Sequence, residues 1–493
     1  MGRVGVGLSG AMVALMAVAA SAADDAPTRA MRLYEKHHYE EAARTLQADL
    51  PALDPARSAT AYLTLGMIYL DNAELHRELY QAGKTIQLDY LKKLAAVRGA
   101  DGSRFVSLYL GKALLENGCS GDATKYLERF NAQTGVEPRY KATAEADLGL
   151  CHFLRQDAPR ARALWAALDA TEPEVQVALA AVYSKAGLKE RDPVAMGDAA
   201  LRRVGSSPPP RMLGNLLTIY ARAGLTDKGL ALIKQADLKA AAYTEVLGRT
   251  KMINFYDLSV LGDLATLYRQ AGQLYLEKAA ADPKLKPTAD YYLGVAYADA
   301  GNVDLSLRAT DAFLSVAHAP AQYQNRARVR YATGQYLQGR RAEVLAAWEE
   351  LAKGQPADPD LLAEIILGCV RVKADCARIA PRAELAAESG EGKKTRALSI
   401  ALGKYHLWGK DYGRAVMYLE AGRDKSNKNR IEANDPVMLV SLAEAYYRRR
   451  QFSEALEIYF EMSKHFPVLR RLQEALQGIY SMEHKSAGDV RIF

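Results

Sequence analysis

The chain has 493 residues, 49% of them apolar and 25% charged, with a formal net charge of +7. That balance excludes a disordered chain, and so small a positive surplus over this length gives no concentrated basic patch for nucleic acid. The length leaves room for about three ordinary domains.

Residues 1–23 stand apart from the rest. Arg3 gives a thin positive start, Val4 to Ala19 is apolar and uncharged, and Ala20-Ser21-Ala22-Ala23 supplies small residues before Asp24-Asp25. This pattern predicts a secretory signal cut after Ala22 or Ala23. An uncleaved anchor is the other reading, although the run is short and Gly/Ala-rich for a membrane span. No cysteine follows it, which excludes lipoprotein attachment at this site. No later stretch is long and apolar enough to cross a bilayer. The mature chain is therefore expected to have no transmembrane segment and to be periplasmic or secreted.

From Asp24 onward a single pattern recurs. Tyr39, Ala42 and Leu46 look like the end of a first copy. Leu65-Gly66-x-x-Tyr69, with Tyr62 before it, is the next. Leu110-Gly111-x-x-Leu114 is followed by Gly118 and Ala123, and Leu148-Gly149-x-x-His152 by Ala161, Trp165 and Pro173. Tyr183 with Gly187, Tyr220 with Gly224, and Tyr268 with Gly272 are weaker. Leu293-Gly294-x-x-Tyr297 leads to Gly301, Gly339 to Trp348 and Pro356, and Leu402-Gly403-x-x-His406 to Tyr412 and Ala415. The fullest copy runs from Pro436 to Pro467, with Leu442-Ala443-x-x-Tyr446, then Phe452, Ala455 and Tyr459. Apolar residues at three- and four-residue steps on two segments predict paired amphipathic helices joined by a tight turn. Small Ala443 and Ala455 let the helices approach, Tyr446, Phe452 and Tyr459 fill the space around them, and Pro467 stops the second helix. Alternating Val/Ile/Thr runs, the mark of strands, are nearly absent.

These motifs resemble the tetratricopeptide repeat, a helix–turn–helix unit of about 34 residues. The resemblance covers most of 26–467 and implies an all-α fold, a right-handed α-solenoid superhelix of about 10–12 such units. It divides the chain into the signal peptide (1–23), an amino-terminal array (24–240), a carboxy-terminal array (241–467) and a capping helix with a tail (468–493). The pattern is stretched or degenerate at about 74–100, 235–257 and 374–395, and a bend is expected near 240–257.

Stacking of such units brings Cys119, in one turn, beside Cys151 on the next first helix. Cys369 and Cys376 flank a turn. Four cysteines behind an export signal predict two disulfides, Cys119–Cys151 and Cys369–Cys376; four free, buried thiols are the alternative.

Chemistry is sparse. The eight histidines are scattered, and neither H-E-x-x-H, paired zinc spacing, C-x-x-C-H nor G-x-S-x-G occurs. His152 and His406 take the slot where other copies carry tyrosine, which predicts packing rather than ligation. Glu391-Gly392-Lys393-Lys394-Thr395 lacks the leading glycine and the strand of a phosphate loop. No catalytic residue, cofactor or metal is expected, and no nucleic acid.

The resemblance instead implies binding along the first helices of successive units. Carried over unit by unit, the exposed positions are Arg211 and Arg222, then Arg269, Gln270, Tyr291 and Asp299. Arg326, Tyr336, Lys404 and Trp408 follow, and Glu444, Tyr447 and Arg448 close the set. Basic and aromatic residues outnumber acidic ones, so the expected ligand is an acidic or carboxylate-bearing protein segment. The expected function is a non-catalytic scaffold for protein components of a bacterial cell-envelope complex. The alternative is a scaffold of an exopolysaccharide synthesis or export machine, with polysaccharide as a further ligand.

Overall fold

A computed structural model describes residues 26–98, 105–168, 172–205, 208–235, 259–354, 358–389, 396–425, 431–466 and 469–484. The expected signal peptide, the expected bend near 240–257, Glu391–Thr395 and Pro467 lie outside these residues. Every regular element among the described residues is helical. In chain order they are α1 (Ala26–Glu35), α2 (Tyr39–Asp49), α3 (Pro55–Arg98), α4 (Val106–Glu116), α5 (Gly121–Asn131), α6 (Pro138–Leu154), α7 (Ala158–Ala166) and α8 (Pro173–Ala186). Then follow α9 (Pro193–Val204), α10 (Pro210–Arg222), α11 (Thr226–Gln235), α12 (Ser259–Ala279), α13 (Lys286–Asp299), α14 (Val303–Leu314), α15 (Ala321–Leu337) and α16 (Arg341–Ala352). The last are α17 (Pro359–Val372), α18 (Ala380–Ser389), α19 (Arg396–Trp408), α20 (Tyr412–Gly422), α21 (Pro436–Arg448), α22 (Phe452–His465) and α23 (Arg470–His484).

The fold is an all-α solenoid of stacked helical hairpins, and one local device builds the hairpins. Most first helices end on a residue in the left-handed region: His37, Gly118, Gln156, Gly187, Gly224, Gly301, Gly339, Lys373, Lys410 or Arg450. The next N–H then reaches back five residues to a carbonyl. Examples are Asp157 to His152 at 2.9 Å, Asn302 to Tyr297 at 2.9 Å and Gln451 to Tyr446 at 2.9 Å. This is the Schellman closure, which satisfies carbonyls that a helix end would leave without donors. The accepting residue is the tyrosine or histidine slot of the sequence motif. Aspartate or asparagine caps several of the following helices; Asp157, for instance, accepts from the N–H of Arg160.

The motif glycine has a second job. A Cβ on Gly111 would meet Leu127, on Gly149 Trp165, on Gly294 Thr310 and on Gly403 Leu419. Each partner lies sixteen positions later, on the second helix of the same hairpin. Without a side chain at the glycine, the two backbones approach closely and the partner fills the gap. Trp165 is 1% exposed, and its Nε1 donates to the Ala146 carbonyl at 3.0 Å.

Gly66 departs from this rule. A Cβ there would meet Leu276, 210 positions away. The helix that starts at Pro55 does not turn after Tyr69 but runs on to Arg98, through the stretch where the repeat pattern lapses. Its partner comes from α12, with Tyr69 stacked on Tyr275 at 5.8 Å and Gly272 against Leu70.

The chain forms two compact units that do not follow chain order. Unit 1 comprises residues 1–75 and 268–461, and unit 2 residues 76–267 and 462–493. α3, α12 and α22 contribute residues to both. Unit 1 has two large apolar clusters. One centres on Tyr291, Tyr292, Phe313 and Tyr323 with Leu63, Met67 and Leu276. The other centres on Trp348, Ile365, Ile366 and Leu402 and includes Cys369 and Cys376. Both expected disulfides form, Cys119–Cys151 and Cys369–Cys376, with Cα atoms 5.6 and 6.2 Å apart. No helix of the described residues is long and apolar enough to cross a membrane.

Within unit 1 the first hairpin is tied down by polar contacts. The Tyr34 hydroxyl donates to Asp71 at 2.6 Å, and Gln47 donates to the hydroxyls of Tyr69 and Tyr275 at 2.9 Å each. Burial pushes the Asp71 carboxyl up to about 8. The Tyr34 hydrogen bond opposes the shift, and the charges of Glu74 and Asp435 add to it. An unfolded aspartate titrates near 4, so the folded chain holds the extra proton between about pH 4 and 8. Stability should therefore decline as pH rises through that window. Asp71→Asn, which mimics the protonated form, should flatten the dependence. Denaturant midpoints at three pH values across the window measure it, and an unchanged slope would refute the assignment.

Candidate functional site

In unit 2 the first helices α4, α6, α8 and α10 lie beside one another, with residues 76–98 of α3 alongside. Their facing side chains leave a cleft open to solvent. Lys84 and Gln87 come from α3, Lys112 and Glu116 from α4, Thr143 and Asp147 from α6, and Lys185 from α8. Asn117 and Asn215 add amides, and Ala178, Ala181 and Val182 give an apolar strip.

The charges inside are mostly committed. Lys112 Nζ donates to Asp147 Oδ2 at 3.0 Å, with the two side chains 21% and 10% exposed. Lys185 lies 3.5 Å from Glu116, whose other oxygen accepts the Tyr80 hydroxyl at 2.5 Å. Lys84 differs from these. Its ammonium sits 4.6 Å over the Tyr80 ring and, among the described residues, makes neither a hydrogen bond nor an ion pair. Burial lowers its pKa, and the charge of Glu116 opposes the shift. A half-buried cation without an acceptor suits an incoming anion, and the apolar strip suits the stem that carries it. No His, Cys or Ser lines this cleft. Among the described residues no group of His, Cys, Asp or Glu could hold a metal ion.

The residues expected to line a groove are spread over both units. In unit 2, Arg222 is exposed at the end of α10, and the side chain of Arg211 lies outside the described residues. The others belong to unit 1. Arg269 is half-buried, with its pKa lowered by burial and the charge of Asp299 opposing, so these two are neighbours; Gln270 is half-buried beside them. Arg326 Nε pairs with Glu364 at 2.8 Å. Tyr336 is half-buried, with Arg341 5.8 Å over its ring. Lys404 is half-buried, and its charge opposes the rise that burial gives the Asp435 carboxyl, while Trp408 is 37% exposed. Glu444 and Arg448 pair with each other at 3.3 Å.

Two of the expected groove residues are core residues. Tyr291 is 4% exposed and stacks on Tyr323 at 4.5 Å. Tyr447 is 6% exposed and packs on Phe452 at 5.7 Å. Its neighbour Tyr446, expected in the core, is half-buried and donates to Glu420 at 2.9 Å. One residue is about 100° of helix rotation, and that step exchanges their roles. His152 and His406 are each 6% exposed, facing Asp157 and Glu384.

The unit 2 cleft was not foreseen from the sequence, although a signal for it exists. Lys112 directly follows Leu110-Gly111, and Asp147 directly precedes Leu148-Gly149. Opposite charges flanking successive motifs fall on facing helices.

No protein-family model matches the chain, and no curated protein matches it. Among solved structures, the chain is similar to one described as the crystal structure of the APC/C hetero-tetramer Cut9–Hcn1. The match has 14% identity and a TM-score of 0.27, over 94% of this chain and 99% of that one.

Proposed function

We propose that this protein is a non-catalytic scaffold that binds partner protein segments, and that the unit 2 cleft is one of its binding sites. The observation that carries this reading is Lys84, a half-buried cation without an acceptor in a polar cleft with an apolar strip. A pre-formed cleft on stacked helices takes an extended segment at little ordering cost, and acidic or carboxylate-bearing segments suit its open position. Two disulfides suit an oxidising compartment, and together with the amino-terminal apolar run they support work in a bacterial cell envelope.

A photo-crosslinking residue at Thr143, inside the cleft, should capture a discrete partner from intact envelopes. The same group at Arg162, an exposed position of α7 paired with Glu190, should not. Equal capture at both positions, or none at Thr143, would sink the proposal.

A further inference from the structure

In unit 1, α15 carries two arginines one turn apart with opposite circumstances. Arg326 has an acid, Glu364, at 2.8 Å. Arg330 has none. It is 8% exposed, its Nη1 is buried without a hydrogen-bond partner, and no carboxylate pairs with it among the described residues. Its guanidinium lies 5.2 Å over the ring of Tyr291, which stacks on Tyr323 at 4.5 Å. Burying an uncompensated charge costs more than a ring face returns. A chain selected for stability alone would have an acid or an apolar side chain here.

We infer that Arg330, held over the Tyr291 ring, is a built seat for a carboxylate from an acidic side chain of a bound protein segment. This deepens the scaffold reading and rests on it, but at a second site in the other unit. The guanidinium offers parallel N–H donors that match a carboxylate, and low exposure keeps water from competing. The same low exposure selects the ligand. An aspartate or glutamate presents its carboxylate at the end of a slim methylene tether. A uronic acid carries it directly on a broad pyranose ring.

The test uses the full chain with its disulfides intact and a fluorescent hexaglutamate peptide read by anisotropy. Arg330→Gln should weaken binding by about tenfold or more, the loss of one charge-assisted contact. Arg330→Met should raise the ligand-free Tm by about 2–4 °C, because it removes the uncompensated charge. A purely structural arginine would give the opposite shift. Unchanged peptide affinity in Arg330→Gln, or a lowered Tm in Arg330→Met, would overturn the inference. So would Arg330-dependent binding of trigalacturonate with hexaglutamate inert. Lys84→Ala keeps the two proposals apart: if it weakens the peptide while Arg330→Gln does not, the cleft stands and the seat falls.

Discussion

Gly149→Ala is expected to destabilise the protein by roughly 1–3 kcal/mol, whereas Gly262→Ala should stabilise it by about 0.5–1 kcal/mol. Both changes put the same methyl into a helix of unit 2, where alanine is the better helix former by about 1 kcal/mol. The space around the methyl decides the sign. At Gly262 the nearest atom is a Tyr80 ring carbon at 3.4 Å, an ordinary contact. At Gly149 the methyl would overlap the indole of Trp165, which is 1% exposed and cannot swing into solvent. Moving that ring also breaks its hydrogen bond to the Ala146 carbonyl, worth about 1 kcal/mol. Overpacking costs about 1–3 kcal/mol, so the two losses exceed the propensity gain. Denaturant midpoints followed by tryptophan fluorescence measure both variants. A Gly149→Ala protein as stable as the parent would show that the close approach of α6 and α7 is not required.

The same glycines explain which parts of this fold are legible in the sequence. Gly111, Gly149, Gly294 and Gly403 each find their partner sixteen residues on, because the left-handed turn and the helix lengths fix that offset. Local spacing is then sufficient to read a hairpin. Gly66 carries the same motif, yet its partner is Leu276. Nothing near Gly66 encodes that choice. The sequence shows only that the pattern lapses after Tyr69, and a lapse does not say where the missing second helix comes from. Tyr291 and Tyr447, expected to face a groove, are core residues for a related reason. Repeat spacing gives the angle of a side chain to within about one residue, and one residue on a helix is about 100°. Tyr446 and Tyr447 differ by that one step, and the structure buries the second. Arg330 was invisible altogether, because an arginine on a helix reads as solvent-facing until its surroundings show that no acid meets it.

Removing the Cys119–Cys151 bridge should cost about 3.5 kcal/mol and removing Cys369–Cys376 about 2.5 kcal/mol, if loop closure in the unfolded chain sets the effect. The sequence separations are 32 and 7 residues. The native contacts widen the gap further. Cys119 sits in the turn after α4 and Cys151 on α6, so their bridge ties one hairpin to the next. In a stacked array each interface holds only its neighbours, and a link across an interface resists separation of the stack there. Cys369 and Cys376 lie within one hairpin, around a turn that the Ala374 N–H already closes onto the Cys369 carbonyl at 2.9 Å. That bridge duplicates a closure the backbone makes by itself. The Cys119→Ala/Cys151→Ala variant should therefore lose hydrogen-exchange protection across α4 to α6, while Cys369→Ala/Cys376→Ala loses it only near the α17–α18 turn. If the short-loop variant proved the less stable, or if both lost protection over the whole chain, neither loop length nor nearest-neighbour stacking would govern the stability of this array.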